Sequence, residues 1–413
     1  MEKYFDKHSI RHHYLFPEAG PRVQSSIGQQ RGTFMKGKVL ISGAGVTGLA
    51  LAFWLDRAGF AVTLVERSAG FRRGGQAVDI RGVALDVVRA MGLLDDVRAL
   101  RTQLKGMSML DAEGNEIHRT EERTYSAGRL DSEDIEIFRD DLCELLMRAL
   151  SERVEFLYDD SIRAMNDHGD AVSVEFASGQ TRRFDLVAGA DGIYSNVRKL
   201  CFASEAEIVF PLGVVLALFS TPNSIDLDDW QIGHRVESFG YVIYPSRDKR
   251  ELRIGVGFEA PEPPLSRGDP DGQKRVVAQH CAHLKGDFPH FIDAMKTTEQ
   301  FYYNELAQVR MPSWSKGRVV LAGDAAYCAS PFSGQGTSLG LVGAFVLAHE
   351  LAQAQDVAAA FATAFSAYET RMRPYVDLNQ ALVDLDRQGP VPDELLDEAK
   401  NGIDLSDLLE RRA

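Results

Sequence analysis

Lys38-Val39-Leu40-Ile41-Ser42-Gly43-Ala44-Gly45-Val46-Thr47-Gly48 is the stretch whose reading decides the fold. Val39-Leu40-Ile41 is short, continuous and apolar, the pattern of a strand buried on both faces of a parallel sheet. Helical spacing follows over Val46–Ala58, Gly59 supplies a stop, and the β-branched run Ala61–Val65 predicts the next strand. Strand, glycine-rich turn, helix and strand in this order predict a dinucleotide-binding βαβ unit. Gly43 permits the tight turn, Gly45 lets a pyrophosphate approach the backbone, and Gly48 allows close helix–strand packing. The helix N-terminus offers N–H groups to the phosphates. Glu66 closes the second strand, where a carboxylate accepts the hydroxyls of an unphosphorylated adenosine ribose.

Further along, Leu186–Ala190 and Val319–Ala322 are short apolar runs ending in Gly/Asp turns, so the parallel sheet is revisited twice. Alternation at Asp134–Phe138 and Leu252–Phe258 predicts sheets with one covered face, and strand-like runs at 214–219 and 239–244 join the latter in a mostly antiparallel second sheet over about 206–307. From Thr337 to Arg387 the pattern is helical, with an interruption expected at Pro374. The fold class is therefore α/β: a Rossmann-like nucleotide domain interleaved with a mostly antiparallel substrate domain and closed by C-terminal helices. The expected segments are a tail at 1–34, nucleotide-domain parts at 35–105, 135–205 and 308–345, substrate-domain parts at 106–134 and 206–307, and C-terminal helices at 346–413.

The 413 residues are 45% hydrophobic and 26% charged, with 60 acidic against 46 basic residues and a net charge of −14. A field of that sign repels phosphate backbones and anionic headgroups, so neither nucleic acid nor a membrane surface is an expected partner. Cys143, Cys201, Cys281 and Cys328 form no CxxC pair, which argues against a thiolate metal site or a disulfide framework; no metal is expected, and the setting reads as cytoplasmic. The longest apolar run, Leu339–Ala348, is too short to span a bilayer. The polar first 34 residues read as an appended or upstream-translated tail.

Two later motifs bear on the nucleotide. Asp185–Gly192 runs from a strand into an Asp191-Gly192 turn, followed by Ser195 as a helix cap; taken alone this is a capped turn. Arg318–Ala326 delivers Asp324 to a loop followed by Gly334-Gln335-Gly336, a helix start suited to negative charge on a reduced flavin ring. No second glycine fingerprint predicts a separate nicotinamide domain. Gly336-Thr337-Ser338-Leu339-Gly340 matches the GxSxG of serine hydrolases, but no strand leads directly into Ser338 and the order of triad residues fails.

The ordered trio Gly43-x-Gly45-x-x-Gly48, Asp191-Gly192 and Gly323-Asp324 resembles the single-component flavoprotein aromatic monooxygenases related to p-hydroxybenzoate hydroxylase, and within them the tetracycline-inactivating branch. The resemblance runs from about Lys36 to Pro374. It implies a three-layer ββα FAD-binding domain, bound FAD, NAD(P)H as reductant, O2 as oxidant, and a flavin C4a-hydroperoxide that hydroxylates an aromatic or polycyclic phenolic substrate, polyketide or antibiotic-like. It further implies Glu66 and Arg67 at the adenosine ribose, Asp79, Arg139 and Asp191 as cofactor contacts, Asp324 at the ribityl chain and pyrophosphate, Gly334 and Gly336 at the pyrimidine edge, and Arg72 as the nicotinamide contact. Many relatives carry Asn and Asp where this chain has Ser338 and Gly343. Phe219, Phe239 and Tyr241 are expected to line the substrate pocket; Tyr244, Tyr302, Tyr303 and His234 are further candidates, and no catalytic base is assigned. A monomer or weak homodimer is expected. Ring-ketone oxygen insertion stays open, as do an FAD protein that sequesters a small molecule and a halogenase, although Trp54, Trp230 and Trp314 are isolated rather than paired in a Trp-x-Trp motif.

Overall fold

The computed structural model describes residues 36–71, 75–126, 128–202, 205–353, 357–387 and 391–410. The expected tail at 1–34 and the expected nicotinamide contact Arg72 lie outside the described residues.

Strand β1 (Lys38–Ser42) pairs in parallel with β2 (Ala61–Glu66) on one side and with Leu186–Gly189 on the other. Val319–Leu321 extends the parallel sheet beyond Leu186–Gly189, and Glu155–Tyr158 extends it beyond β2. The apolar run of β1 is buried because both faces of this sheet are covered. One cover is helix α1 (Val46–Arg57), nine of whose twelve residues, Gly48 to Asp56, are buried. It has no polar stripe because helix Gly336–Gln353 packs on its outer side, with Trp54 and Phe345 5.1 Å apart between ring centres. A three-stranded antiparallel sheet (Ile162–Asp167, Val172–Phe176, Thr181–Phe184) directs Val172, Val174 and Phe176 into the same core. These layers are the expected ββα architecture.

The second sheet has seven strands in the order Phe301–Val309, Val209–Pro222, Glu251–Glu259, Phe239–Pro245, Gln231–Val236, Met107–Leu110, Glu116–Thr120. Every neighbouring pair is antiparallel except Gln231–Val236 with Met107–Leu110. Helices Pro270–His280 and Phe288–Thr297 cover one face, so Val215, Phe219, Tyr241, Ile254 and Phe258 pack against Val277, Phe288, Phe291 and Met295. That placement corrects the expectation for Phe219, Phe239 and Tyr241. Their rings belong to the helix-covered core; Tyr241 lies 4.5 Å from Phe288, and Phe239 5.1 Å from His283, between ring centres. Strand alternation shows that two faces differ, but not which one receives the helices.

A second correction concerns Pro374, where helix Val357–Ala381 continues unbroken. A proline inside a helix costs about 3 kcal/mol. Here the flanking turns bury Tyr368, Met372, Tyr375 and Val376, and this packing offsets the lost hydrogen bond. No helix among the described residues is long and apolar enough to cross a membrane.

The closest backbone approach of the βαβ unit lies at Gly48, where a Cβ would overlap the carbonyl oxygen of Gly43. Gly48→Ala is expected to destabilise the protein by about 3 kcal/mol, the upper end of overpacking costs. Urea unfolding measures this; an unchanged midpoint would show that the turn relaxes freely.

Candidate active site

The turn after β1 is held against the end of Leu186–Gly189: a Cβ at Gly43, whose φ is +102°, would stand 2.6 Å from the Ala190 carbonyl oxygen. Gly45, by contrast, faces open space, and the nearest atom to a Cβ there would be Arg139 Nη2 at 3.6 Å. Gly45 is also the N-cap of α1 and supplies no side-chain acceptor, so the first N–H groups of the helix are available to an anion. A backbone shelf, a helix N-terminus and a guanidinium thus meet at one place. Arg139 begins helix Arg139–Ala149, and its own N–H donates to the Gln76 carbonyl at 2.9 Å. Glu66 accepts from the Ala44 N–H through Oε2 and from the Ser68 N–H through Oε1, both at 3.0 Å, which holds its carboxylate beside the turn. Arg67 is exposed next to it.

The other glycine motifs converge through Thr47. A Cβ at Gly323 would overlap Thr47 Oγ1, and one at Gly340 would lie 2.5 Å from the same atom. Asp324 opens helix Asp324–Tyr327 directly after Gly323, and Gly336 is close enough that its Cβ would lie 3.9 Å from Asp324 Oδ1. The Asp324 carboxylate is solvent-accessible but lies among densely packed protein. Desolvation raises its pKa, while the Cys328 thiol and the Arg139 charge oppose the rise. Gln335, between the two glycines, is fully buried and neither polar atom of its amide has a protein partner. Open shelf, exposed acid and orphaned amide fit an extended dinucleotide carrying a polar ring.

Asp79 sits one step away. It lies opposite Glu136 in the antiparallel pair formed by β3 (Ala77–Ile80) and Ile135–Phe138. Arg81 Nη2 contacts Asp79 Oδ2 at 2.9 Å, and the Arg81 N–H donates to Ser338 Oγ at 3.0 Å. The guanidinium lies under the glycine loop, since a Cβ at Gly334 would stand 3.5 Å from Arg81 Cζ. Burial pushes Asp79 up to about 7; Arg81 opposes this, and Glu136 and Asp134 add to it. Burial also raises Glu136. Ser338 therefore latches the end of β3 to helix Gly336–Gln353. Gly343 has an equally local reason: a Cβ there would overlap the Tyr327 hydroxyl, which hydrogen-bonds Tyr368 Oη at 2.9 Å.

Asp191 does not join this group through its carboxylate. Its oxygens accept from the N–H groups of Asn196 and Val197, at 2.8 and 3.1 Å, and from the Ser195 hydroxyl. Ser195 in turn caps the Arg198 N–H at 3.0 Å. The motif is a capped turn.

The face of the seven-stranded sheet away from its two helices carries Leu216, Leu218, Val242, Tyr244 and Tyr302. Tyr244 accepts the Ala77 N–H at 3.2 Å, so this face meets β3. Tyr302 is 49% exposed; its surroundings raise its phenol, first by desolvation and then through Tyr194 and Asp324. Tyr302, on the edge strand of this face, therefore lies within electrostatic reach of Asp324. Thr47 and Arg81 escaped the sequence reading because only their packing partners give them a role. A separate cavity of about 490 Å3, lined by Trp314, Tyr327 and Arg373, contains none of the nucleotide-motif residues.

The FAD binding domain family matches residues 36–380. An uncharacterised protein of Mycobacterium tuberculosis is 42% identical over 371 residues, covering 89% of this chain and 99% of its own length. A flavin-dependent monooxygenase of Legionella longbeachae is 34% identical, covering 83% of this chain and 87% of its own. The crystal structure of tetracycline destructase Tet(51) superposes with a TM-score of 0.80 at 32% identity, covering 90% of this chain and 99% of that one.

The raised carboxyl of Asp79 makes a signed prediction. The fold favours its protonated form, so its contribution to stability is present below the ordinary value of 3.8 and is lost as pH rises through about 7. Across that window the denaturation midpoint of the wild type is expected to fall relative to that of Asp79→Asn. Parallel profiles for the two proteins would remove Asp79 as the titrating group.

Proposed function

The chain belongs to the FAD-binding-domain family and is an FAD-dependent oxidoreductase of the flavin monooxygenase type, and on that premise we propose that it uses NAD(P)H and O2 to hydroxylate an aromatic or polycyclic phenolic small molecule. The observation that carries this reading is the meeting of the Gly45 shelf with Arg139, whose charge reaches Asp324, and of Asp324 with Tyr302 on the open sheet face. FAD, when bound, supplies electron acceptance from the nicotinamide and activation of O2. The residues supply the rest. The turn Gly43–Gly48 and the α1 N-terminus hold the pyrophosphate, and Glu66 with Arg67 takes the adenosine ribose. Arg139 and Asp324 would hold the cofactor, Asp324 at the ribityl hydroxyls. Gly334 and Gly336 lie at the pyrimidine edge, where the start of helix Gly336–Gln353 stabilises negative charge. Asp79 acts there through Arg81, which supports the Gly334 loop from below. Leu216, Leu218 and Val242 exclude water over the reacting carbon.

A phenolic substrate suits this face, and tetracycline destructase activity in a structural relative fits a polycyclic one. The reductant is an intracellular metabolite, so a cytoplasmic setting is part of the reading.

Purified protein is expected to carry flavin absorbance, to oxidise NADPH faster when a phenolic substrate is added, and to place one atom of labelled O2 in the product. Asp324→Ala is expected to lower flavin affinity at least about tenfold, or about 1.4 kcal/mol, by removing a charge-assisted hydrogen bond. Full flavin retention by that variant would overturn the role of Asp324. Absence of flavin from the wild type would overturn the whole reading.

A further inference from the structure

Resting on the monooxygenase reading and going beyond it, we propose that Gly240 and Gly257 form a specificity trough on the open face of the seven-stranded sheet. Arg235 stands at its end to receive the acidic edge of a planar ring system.

The strand register builds the trough. Gly257 has Leu216 beside it on one neighbouring strand and Gly240 on the other. Gly240 pairs onward with Arg235, and Leu216 with Asn304. The row Asn304, Leu216, Gly257, Gly240, Arg235 therefore crosses five strands, with two adjacent places bare of side chain. At about 4.8 Å per strand the bare backbone is about 10 Å wide, the width of a fused aromatic system lying flat.

Glycine inside a strand weakens it, so each one needs a reason. Most of the glycines on this face have one in the protein itself. A Cβ at Gly255 would press on Leu218 at 3.1 Å and Val242 at 3.2 Å, and one at Gly240 would stand 2.8 Å from the His234 carbonyl oxygen. Gly257 has none. Its φ is not in the left-handed region, and a Cβ there would meet nothing nearer than 3.9 Å. The fold has room for a side chain at 257, on the face that also carries Tyr244 and Tyr302. Bare backbone there serves something that is not part of the chain.

Charge identifies the edge of that molecule. Arg253 is on the same face, but its Nη1 is committed to Ser220 Oγ at 2.9 Å and Glu251 Oε2 at 2.7 Å. Arg235 is exposed and has no hydrogen-bond or ion-pair partner among the described residues. In a chain of net charge −14, an unpaired guanidinium at the end of an apolar floor selects a ligand with an in-plane phenolate, enolate or carboxylate.

The test uses the flavin-loaded enzyme and alizarin, a planar fused-ring phenol, titrated by absorbance. Gly257→Val is expected to retain full flavin content and a melting temperature equal to or above the wild type, because β-branched residues favour strands. Its alizarin affinity should fall at least about tenfold. Gly257→Ala gives a smaller loss in the same direction. Arg235→Gln weakens binding of the ionised probe several-fold and leaves binding of the neutral probe unchanged. Wild-type affinity in Gly257→Val, or no alizarin uptake by flavin-loaded wild type, overturns the trough. A lowered melting temperature in both Gly257 variants overturns it too, since the fold would then need that glycine. Equal binding by Arg235→Gln overturns the edge assignment. A wild type without flavin sinks the oxidoreductase reading instead, which keeps the two failures distinct.

Discussion

The side chain of Thr47, seated where Gly323 and Gly340 lack a Cβ, is the contact on which the rest of the structure depends. Through it the first turn of α1, the exit of the strand Val319–Leu321 and the start of helix Gly336–Gln353 reach van der Waals distance. Asp324 follows Gly323 directly, and the Gly334–Gly336 loop lies just before Gly340. Their distance from the Gly45 shelf is thus set by packing rather than by chain connectivity. Interiors this dense transmit small displacements, so one larger residue at any of the three positions would spread the groove.

Around that joint the chain handles charge in a concentrated way. Arg81 is nearly buried, contacts Asp79, and feels Asp134 and Glu136 as well. Lys400 shares the load by pairing with Asp134 at 3.2 Å, which ties the C-terminal helix Asp393–Asn401 to the same cluster. With more carboxylates than the buried guanidinium can neutralise, one proton is held near neutral pH, under the loop where a polar ring would lie. Ser338 and Gly343 both have local causes here. Ser338 accepts from the Arg81 backbone, and Gly343 makes way for the Tyr327 hydroxyl. Each is one half of a pair.

The seven-stranded sheet divides its labour by face. Its aromatic residues Phe219, Tyr241 and Phe258 cement the sheet to two helices, while the opposite face carries aliphatics, glycines, Tyr244, Tyr302, Arg235 and Arg253. The division follows from which side the helices Pro270–His280 and Phe288–Thr297 fold onto. The aromatic side is core, and the plainer side is left open.

By itself the sequence determined whatever is encoded within a few consecutive residues. The βαβ unit, the tight turn at Gly43, the Ser195 cap and the acid at the end of β2 are all local, because strand burial, turn geometry and capping act over one or two turns of chain. The family followed from three such local motifs in order. Only the tertiary structure decided what depends on a partner far along the chain. It assigned Phe219, Phe239 and Tyr241 to a core rather than a pocket. It carried the helix through Pro374 because buried neighbours outweigh the lost bond. It also gave Thr47 and Arg81 their importance, since neither residue means anything without the glycines and carboxylates brought to it from other segments. Period-two alternation and turn chemistry are blind to which surface arrives on the other side, and that arrival is a property of the packed chain alone.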